Sequence, residues 1–229
     1  MRPIIIFLLF GTVYLHAAAQ DGSVYLKGGL NLANVSTTDD GHIDKAHNLA
    51  SFHIGLIGSI PLGEVVALQP GVLFTGKGTK SQSGQPGDTY YYKATSNPFY
   101  IEVPLNLVFK LPLSPGNSSI FFGAGPYAAI GIAGKNKTEG NAGPVAFKKN
   151  DAIQFSNDDP STFNEQEGAG LGIMRRFDFG LNAVAGLELD KVLLSVNYGY
   201  GLTKINSVAN DDDDKNKHRV LGFSIGFKL

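Results

Sequence analysis

At 229 residues with no cysteine, the chain is long enough for one domain with a sizeable core and relies on no disulfide, which separates it from small secreted scaffolds. A net charge of −1 argues against nucleic acid as a partner. Charged residues make up only 17% of the chain against 43% hydrophobic, too few to coat a water-soluble barrel, and glycine is abundant at 29 residues.

Met1–Ala19 reads as a secretory signal peptide. Arg2 supplies the positive start, Ile4–Leu15 an apolar run too short for a spanning helix, and Ala17-Ala18-Ala19 a small-residue cleavage site. Cleavage is expected near Gln20, leaving 20–229 as one domain; the competing reading is an uncleaved N-terminal anchor. No cysteine stands at the cleavage site, which excludes a lipoprotein. No later segment offers the roughly 18 consecutive apolar residues of a transmembrane helix.

Period-two alternation, which sends successive side chains to opposite faces of a sheet, then recurs eight times. The first strand is Val24–Ala33, with Val24, Leu26, Leu30 and Leu32 on one face. After the polar stretch Asn34–Ala50 comes Ser51–Ile60, with Phe52, Ile54, Leu56 and Ile60 opposite His53, Gly55 and Ser59. Pro61-Leu62-Gly63-Glu64 is a tight turn. Val65–Thr75 follows, then a second long polar stretch, Gly76–Thr95, which carries Tyr90, Tyr91 and Tyr92. Phe99–Lys110 alternates Phe99, Ile101, Val103, Leu105, Leu107 and Phe109 against Tyr100, Glu102, Pro104, Asn106, Val108 and Lys110. A short turn at Pro112–Asn117 leads to the Gly- and Ala-rich strand Ser119–Ile132. The longest irregular stretch is expected at Ala133–Met174. Arg175–Leu189 and Val192–Leu202 are joined by Asp190-Lys191, and the polar loop Ile205–Lys217 precedes the last strand, His218–Leu229.

Short and long connections therefore alternate along the chain. An antiparallel barrel with an even strand count puts all its turns at one rim and all its loops at the other, whereas a β-sandwich has no reason to sort loops by length. The strands are also long enough to cross a bilayer at a tilt. The expected fold is all-β: an eight-stranded antiparallel up-and-down transmembrane β-barrel with short periplasmic turns and long extracellular loops. The polar face holds Lys27, Lys110 and Arg176 with Glu102, Asp178 and Glu188, opposite charges able to neutralise one another inside a lumen only wide enough for side chains. Phe52, Phe74, Phe99, Phe177, Tyr198, Tyr200, Phe223 and Phe227 stand on the apolar parity toward strand ends, where aromatic girdles sit. The rival architecture is a soluble exported lipocalin-like barrel around an apolar ligand; the chain has no Trp, so the Gly-x-Trp signature of lipocalins is missing.

Several stretches carry a family resemblance: Lys27-Gly28-Gly29-Leu30-Asn31-Leu32, Tyr100-Ile101-Glu102-Val103-Pro104-Leu105, Gly123-Ala124-Gly125-Pro126-Tyr127, Phe177-Asp178-Phe179-Gly180-Leu181 and Asn197-Tyr198-Gly199-Tyr200-Gly201-Leu202. In these the chain resembles the PorT-family outer-membrane β-barrel proteins of Bacteroidetes, with OmpA- and OmpX-type barrels sharing the architecture. The resemblance covers essentially all of 20–229, and its motifs are structural. Asn197 stands where the family has an Arg or similar residue, removing one interior charge. The resemblance implies an outer-membrane location, not the gliding or secretion role of the founding member. No periplasmic peptidoglycan-binding domain is expected after Leu229. The last strand is where barrel-assembly machinery would grip the chain, although it ends on Leu229 with Phe227 two positions back.

Catalytic and metal chemistry finds little footing in the pattern. His16 leaves with the signal peptide, and lumen-facing His53 has no serine partner visible in the sequence. His42 and His47, with Asp39, Asp40 and Asp44, sit in a polar loop with nothing to fix ligand geometry. Asp211–Lys215 lacks the spaced ligands and glycine of an EF-hand loop. Asn34, Asn117 and Asn136 begin N-glycosylation patterns that arise by chance in a bacterial protein, and the glycines at 78, 84 and 87 precede no helix that would hold a phosphate. No cofactor and no metal are expected. The reading is a monomeric, non-enzymatic barrel embedded in outer-membrane lipid, its lumen filled. Its loops, above all Ala133–Met174 and Tyr90, Tyr91 and Tyr92, are expected to bind a surface protein or glycan or to organise the envelope. The enzymatic alternative is an outer-membrane lipid or ester hydrolase using His53.

Overall fold

The computed structural model describes residues 22–36, 38–39, 42–43, 46–113, 118–156, 173–205 and 217–229. The segment 1–19, Asn117 and the run Asp211–Lys215 lie outside the described residues, as do Asp40, Asp44 and the side chains of Asp39, His42 and His47.

Eight long strands carry the fold: β1 (Ser23–Ser36), β2 (Leu49–Pro61), β3 (Val66–Gly76), β4 (Tyr90–Leu113), β5 (Ser118–Ala142), β6 (Phe177–Leu189), β7 (Val192–Lys204) and β8 (Lys217–Lys228). Each pairs antiparallel with the next, and β8 pairs antiparallel with β1, so the ring closes. Leu30 marks the seam, opposite Phe223 on one side and Phe52 on the other. The three short connections lie at one rim. In the tightest, Asp190 takes φ +41°, a left-handed conformation that Asp tolerates better than most residues.

Alternation along the strands is strict where the barrel is closed. In β6, exposed Phe177, Phe179 and Leu181 alternate with buried Asp178, Gly180 and Asn182. The same parity exposes Leu26, Leu30, Ile54, Leu56, Val72, Val103, Leu105, Leu107, Phe122, Val196 and Ile225 around the ring. A continuous apolar belt of that extent is far larger than water-soluble monomers expose, and it is the surface that lipid covers. Aromatics edge the belt. At the loop end Phe52, Phe74 and Phe99 cluster with ring centroids 5.1 to 5.8 Å apart, and Arg219 stacks 3.6 Å from the Tyr200 ring. At the turn end Phe109 stacks on Phe122 at 5.9 Å. Phe223, expected in a girdle, falls mid-strand opposite Leu30 and Val196.

The described parts of the two longest loops expected from the sequence are largely strand. Gly76–Thr95 contains a short strand, Thr79–Ser83, that pairs with β4, and β4 itself begins at Tyr90. Of Ala133–Met174, β5 runs on to Ala142. After a two-residue turn with Gly143 at φ +63°, the strand Val145–Ala152 doubles back along β5. The upper halves of β4 and β5, these two shorter strands and Ala46–His47, which pairs with Thr79–Ser83, thus form a sheet rising above the belt. A register shift opposite Phe99 and Tyr100 marks a bulge near Ile132: Tyr100 pairs with Gly131 but Phe99 pairs with Ala133. The extra residue reverses the parity of β5 above that point. The sixth strand begins at Phe177 rather than Arg175, because the backbone bends at Arg176 and Ile173–Arg175 forms a separate short strand.

Candidate functional site: the filled lumen and the sheet above it

Inward parity brings Tyr25, Ala67, Val108, Phe121, Val184 and Leu193 together as an apolar layer near the turn rim. Phe121 is fully buried, and glycine at 186 makes the space: a Cβ there would come within 2.7 Å of its ring. Next to this layer lies a polar cavity with room for about one or two waters, lined by Lys27, Gln69, Glu102, Asn106, Asn182 and Ser195 among others.

Toward the loop end the lumen centres on Lys77. Its ammonium lies 2.7 Å from Glu102 and 2.8 Å from Asp178, and 3.9 Å from the centroid of the Tyr127 ring. Tyr127 donates its hydroxyl to Asp178 at 3.1 Å, and Asn182 donates to Glu102 at 3.4 Å. Low local dielectric strengthens such a network only when its charges are paired, and here one cation serves two carboxylates. Of the six charges expected in the lumen, the structure places five facing inward. Lys27 and Glu102 line the cavity, Asp178 sits in the Lys77 cluster, and Lys110 meets Glu188 at 2.7 Å by the turn rim. Arg176 is exposed instead and donates to the Phe155 carbonyl at 3.0 Å, because the bend preceding β6 turns it out of the lumen. Lys77, at the start of the presumed loop Gly76–Thr95, holds the central position. Its parity matches that of Thr75, so carrying the third strand two residues further would have found it.

A second cluster was not legible in any one strand. His53 lies between Asn31, at 2.7 Å from Nδ1, and Ser224, at 2.8 Å from Nε2. Asn31 donates its amide to the Thr75 hydroxyl and the Gly76 carbonyl, leaving Oδ1 to accept from Nδ1–H and Nε2 to accept from Ser224. The order Ser–His–Asn is that of a nucleophilic relay. His53 and Asn31 are buried, and the cavity lined by Lys27, Glu102 and Asn197 has room for about one or two waters. Above it, His218 bonds the Tyr100 hydroxyl at 3.2 Å, and Phe155 packs edge-on against the Tyr100 ring. Ile153, Met174, Val35 and Ile205 complete an apolar cap over the barrel mouth. Among the described residues no group of His, Asp and Glu gathers into a metal site.

The sheet above the belt has two unlike faces. Registered pairing places Ser83, Tyr92, Gly140 and Phe147 in one row and Tyr90 and Val145 in the next, on the face continuous with the lumen. Tyr90 is 77% exposed, Tyr92 45%, Val145 62% and Phe147 41%, whereas Tyr91 points to the other face and is buried. The three expected tyrosines are therefore split, and Phe147 and Val145 join two of them. On the other face Lys93 pairs with Glu139. The hydrogen bond from Lys93, with Lys148 and Lys137 nearby, holds the Glu139 carboxyl below the usual carboxylate range, and the same bond raises Lys93.

No curated protein sequence matches the chain. Among solved structures it is similar to Ail, the attachment invasion locus protein of Yersinia pestis, at 14% identity over 92% of this chain and 100% of Ail, TM-score 0.39. It is also similar to Neisserial surface protein A, at 12% identity over 92% and 99% of the two chains, TM-score 0.39. The outer membrane protein OprG from Pseudomonas aeruginosa is similar at 13% identity over 91% and 96%, TM-score 0.42. A family described as "Outer membrane protein beta-barrel domain" matches residues 18–207, most of the length, and the chain belongs to that family of outer-membrane barrels.

Proposed function

We propose that this barrel is a non-enzymatic surface-binding or envelope-organising protein of the PorT-like branch, exported by a cleaved signal peptide over 1–19, and that it acts through the sheet above the membrane. The motifs quoted for the PorT resemblance fall on the pairing strands, as in Tyr100–Leu105 on β4 and Phe177–Leu181 on β6. One observation carries the binding role: Tyr90, Tyr92, Val145 and Phe147 form an exposed, largely aromatic face on a paired sheet. Aromatic anchors held on a pre-ordered scaffold are the usual centres of binding energy in protein interfaces, and they stack equally well on sugars. A filled lumen leaves the outer sheet as the part free to meet a partner.

Photo-crosslinking residues placed at 90, 92 or 147 in intact cells should trap a discrete partner, while one at lipid-facing Ala124 should not. With that partner in hand, Tyr90→Ala with Tyr92→Ala should weaken binding by about 30-fold or more, the effect of removing two anchors. No adduct from any of the three positions, or unchanged affinity in the double variant, contradicts the reading. The hydrolase alternative draws support from the Ser224–His53–Asn31 geometry alone. It requires ester or phospholipid hydrolysis by the purified barrel that disappears in Ser224→Ala; the filled lumen leads us to expect none.

A further inference from the structure

The second face of the raised sheet points the way the apolar belt points. Phe99 is outward on β4, and Asn97, Thr95 and Lys93 continue its parity upward. Cross-strand pairing sets three rows above Phe99. The first holds Asn97, Lys135 and Ala152; the second Lys80, Thr95, Lys137 and Asn150; the third Gln82, Lys93, Glu139 and Lys148. Residues directly opposite in an antiparallel pair share a face. Five lysines, Lys80, Lys93, Lys135, Lys137 and Lys148, therefore stand on one side, with Glu139 as the single acid these strands place there. Asp151 pairs with Asn136 on the opposite face, where it meets Lys149 at 3.0 Å. At about 3.4 Å per residue and a tilt near 45°, the rows stand roughly 5 to 15 Å above Phe99. Phe99 itself belongs to the Phe52–Phe74–Phe99 cluster that edges the belt.

We propose that this lysine face binds the phosphorylated headgroups of outer-leaflet glycolipids, the layer that begins where the apolar belt ends. Two observations select this occupant. The face is continuous with the lipid-facing side of β4 and β5, so what lies beside it is the headgroup layer of the lipids that cover Phe99 and Ile132. Its charge is also complementary: an excess of lysines, spaced across four strands, matches a surface of fixed phosphates. Each lysine near an anionic membrane surface adds its own increment to binding, and salt screens the sum. This inference does not rest on the aromatic face, which points the other way.

The test uses the purified full chain in neutral detergent micelles doped with fluorescently labelled diphosphoryl lipid A, read by anisotropy. Wild-type protein should bind it more than about tenfold tighter than a variant carrying Lys80→Gln, Lys135→Gln, Lys137→Gln and Lys148→Gln, and the difference should shrink as salt rises. Lys93 is kept because it holds Glu139. The wild-type comparison of diphosphoryl with dephosphorylated lipid A needs no mutation and should show the same preference, so the outcome does not depend on the variant folding. Equal binding of the two lipids overturns the proposal, as does equal binding by a variant that remains folded. Displacement of lipid A by millimolar inorganic phosphate would also overturn it, because the face would then take free phosphate rather than a membrane headgroup.

Discussion

Lys77→Met should destabilise the folded barrel by about 3–5 kcal/mol, the cost of breaking a buried charge network by removing one partner. The side chain is 3% exposed and its partners, Glu102 and Asp178, are 10% and 4% exposed. Methionine keeps the volume but removes the ammonium that Glu102 and Asp178 share, leaving Asp178 without its ion-pair partner and Glu102 with Lys27, which lines the same cavity, in place of a direct contact. Tyr127 and Asn182 donate one hydrogen bond to each, which cannot replace a shared ammonium. The readout is the temperature at which the compact band on a semi-native gel gives way to the unfolded band. A triple variant, Lys77→Met with Glu102→Gln and Asp178→Asn, should recover most of the loss, since the penalty comes from unpaired charge rather than lost packing. If Lys77→Met shifts stability by less than about 1 kcal/mol, the network is not what holds the upper lumen together.

The second large effect concerns the lipid-facing side of β4, the strand that carries Glu102. Leu105→Arg should cost about 2–4 kcal/mol, because it puts a cation at mid-belt, whereas Leu113→Arg at the end of β4 should cost about 0–1 kcal/mol. Leu105 is 43% exposed and Leu113 39%, so burial within the protein does not separate them. Only a surrounding medium whose polarity changes with depth does. In a water-soluble barrel both arginines would be tolerated alike. Unfolding from lipid vesicles by urea measures the pair, and equal costs at the two positions would remove lipid from the account.

That depth dependence also explains which parts of the molecule could be read from its residues. Strands such as Phe99–Lys110 declare themselves because lipid lies on one side and a crowded lumen on the other. Their alternation is a record of two different solvents. Above the belt neither face of the sheet meets lipid tails, so Tyr90–Ser96 and Lys135–Ala152 carry polar residues on both parities and resemble loops. The bulge near Ile132 adds a parity change that no period-two pattern survives. Lys77 is hidden in the sequence for a related reason: it lies just past the last apolar alternation, yet still faces inward. Arg176 shows the converse, a correct parity undone by a bend in the backbone. The contact between His53 and Ser224 depends on ring closure, because Gly29 of β1 stands between them in register, opposite one on β2 and the other on β8. A single strand's sequence does not contain that information.

The same gel, run on the unaltered chain, tests most directly whether these strands close into a barrel within the outer membrane. Cells are fractionated, the outer membrane is extracted with detergent, and samples are compared before and after boiling. A closed outer-membrane barrel leaves the membrane only with detergent, and its mobility shifts on boiling as the compact form unfolds. A chain that extracts freely into aqueous buffer and shows no shift would contradict it.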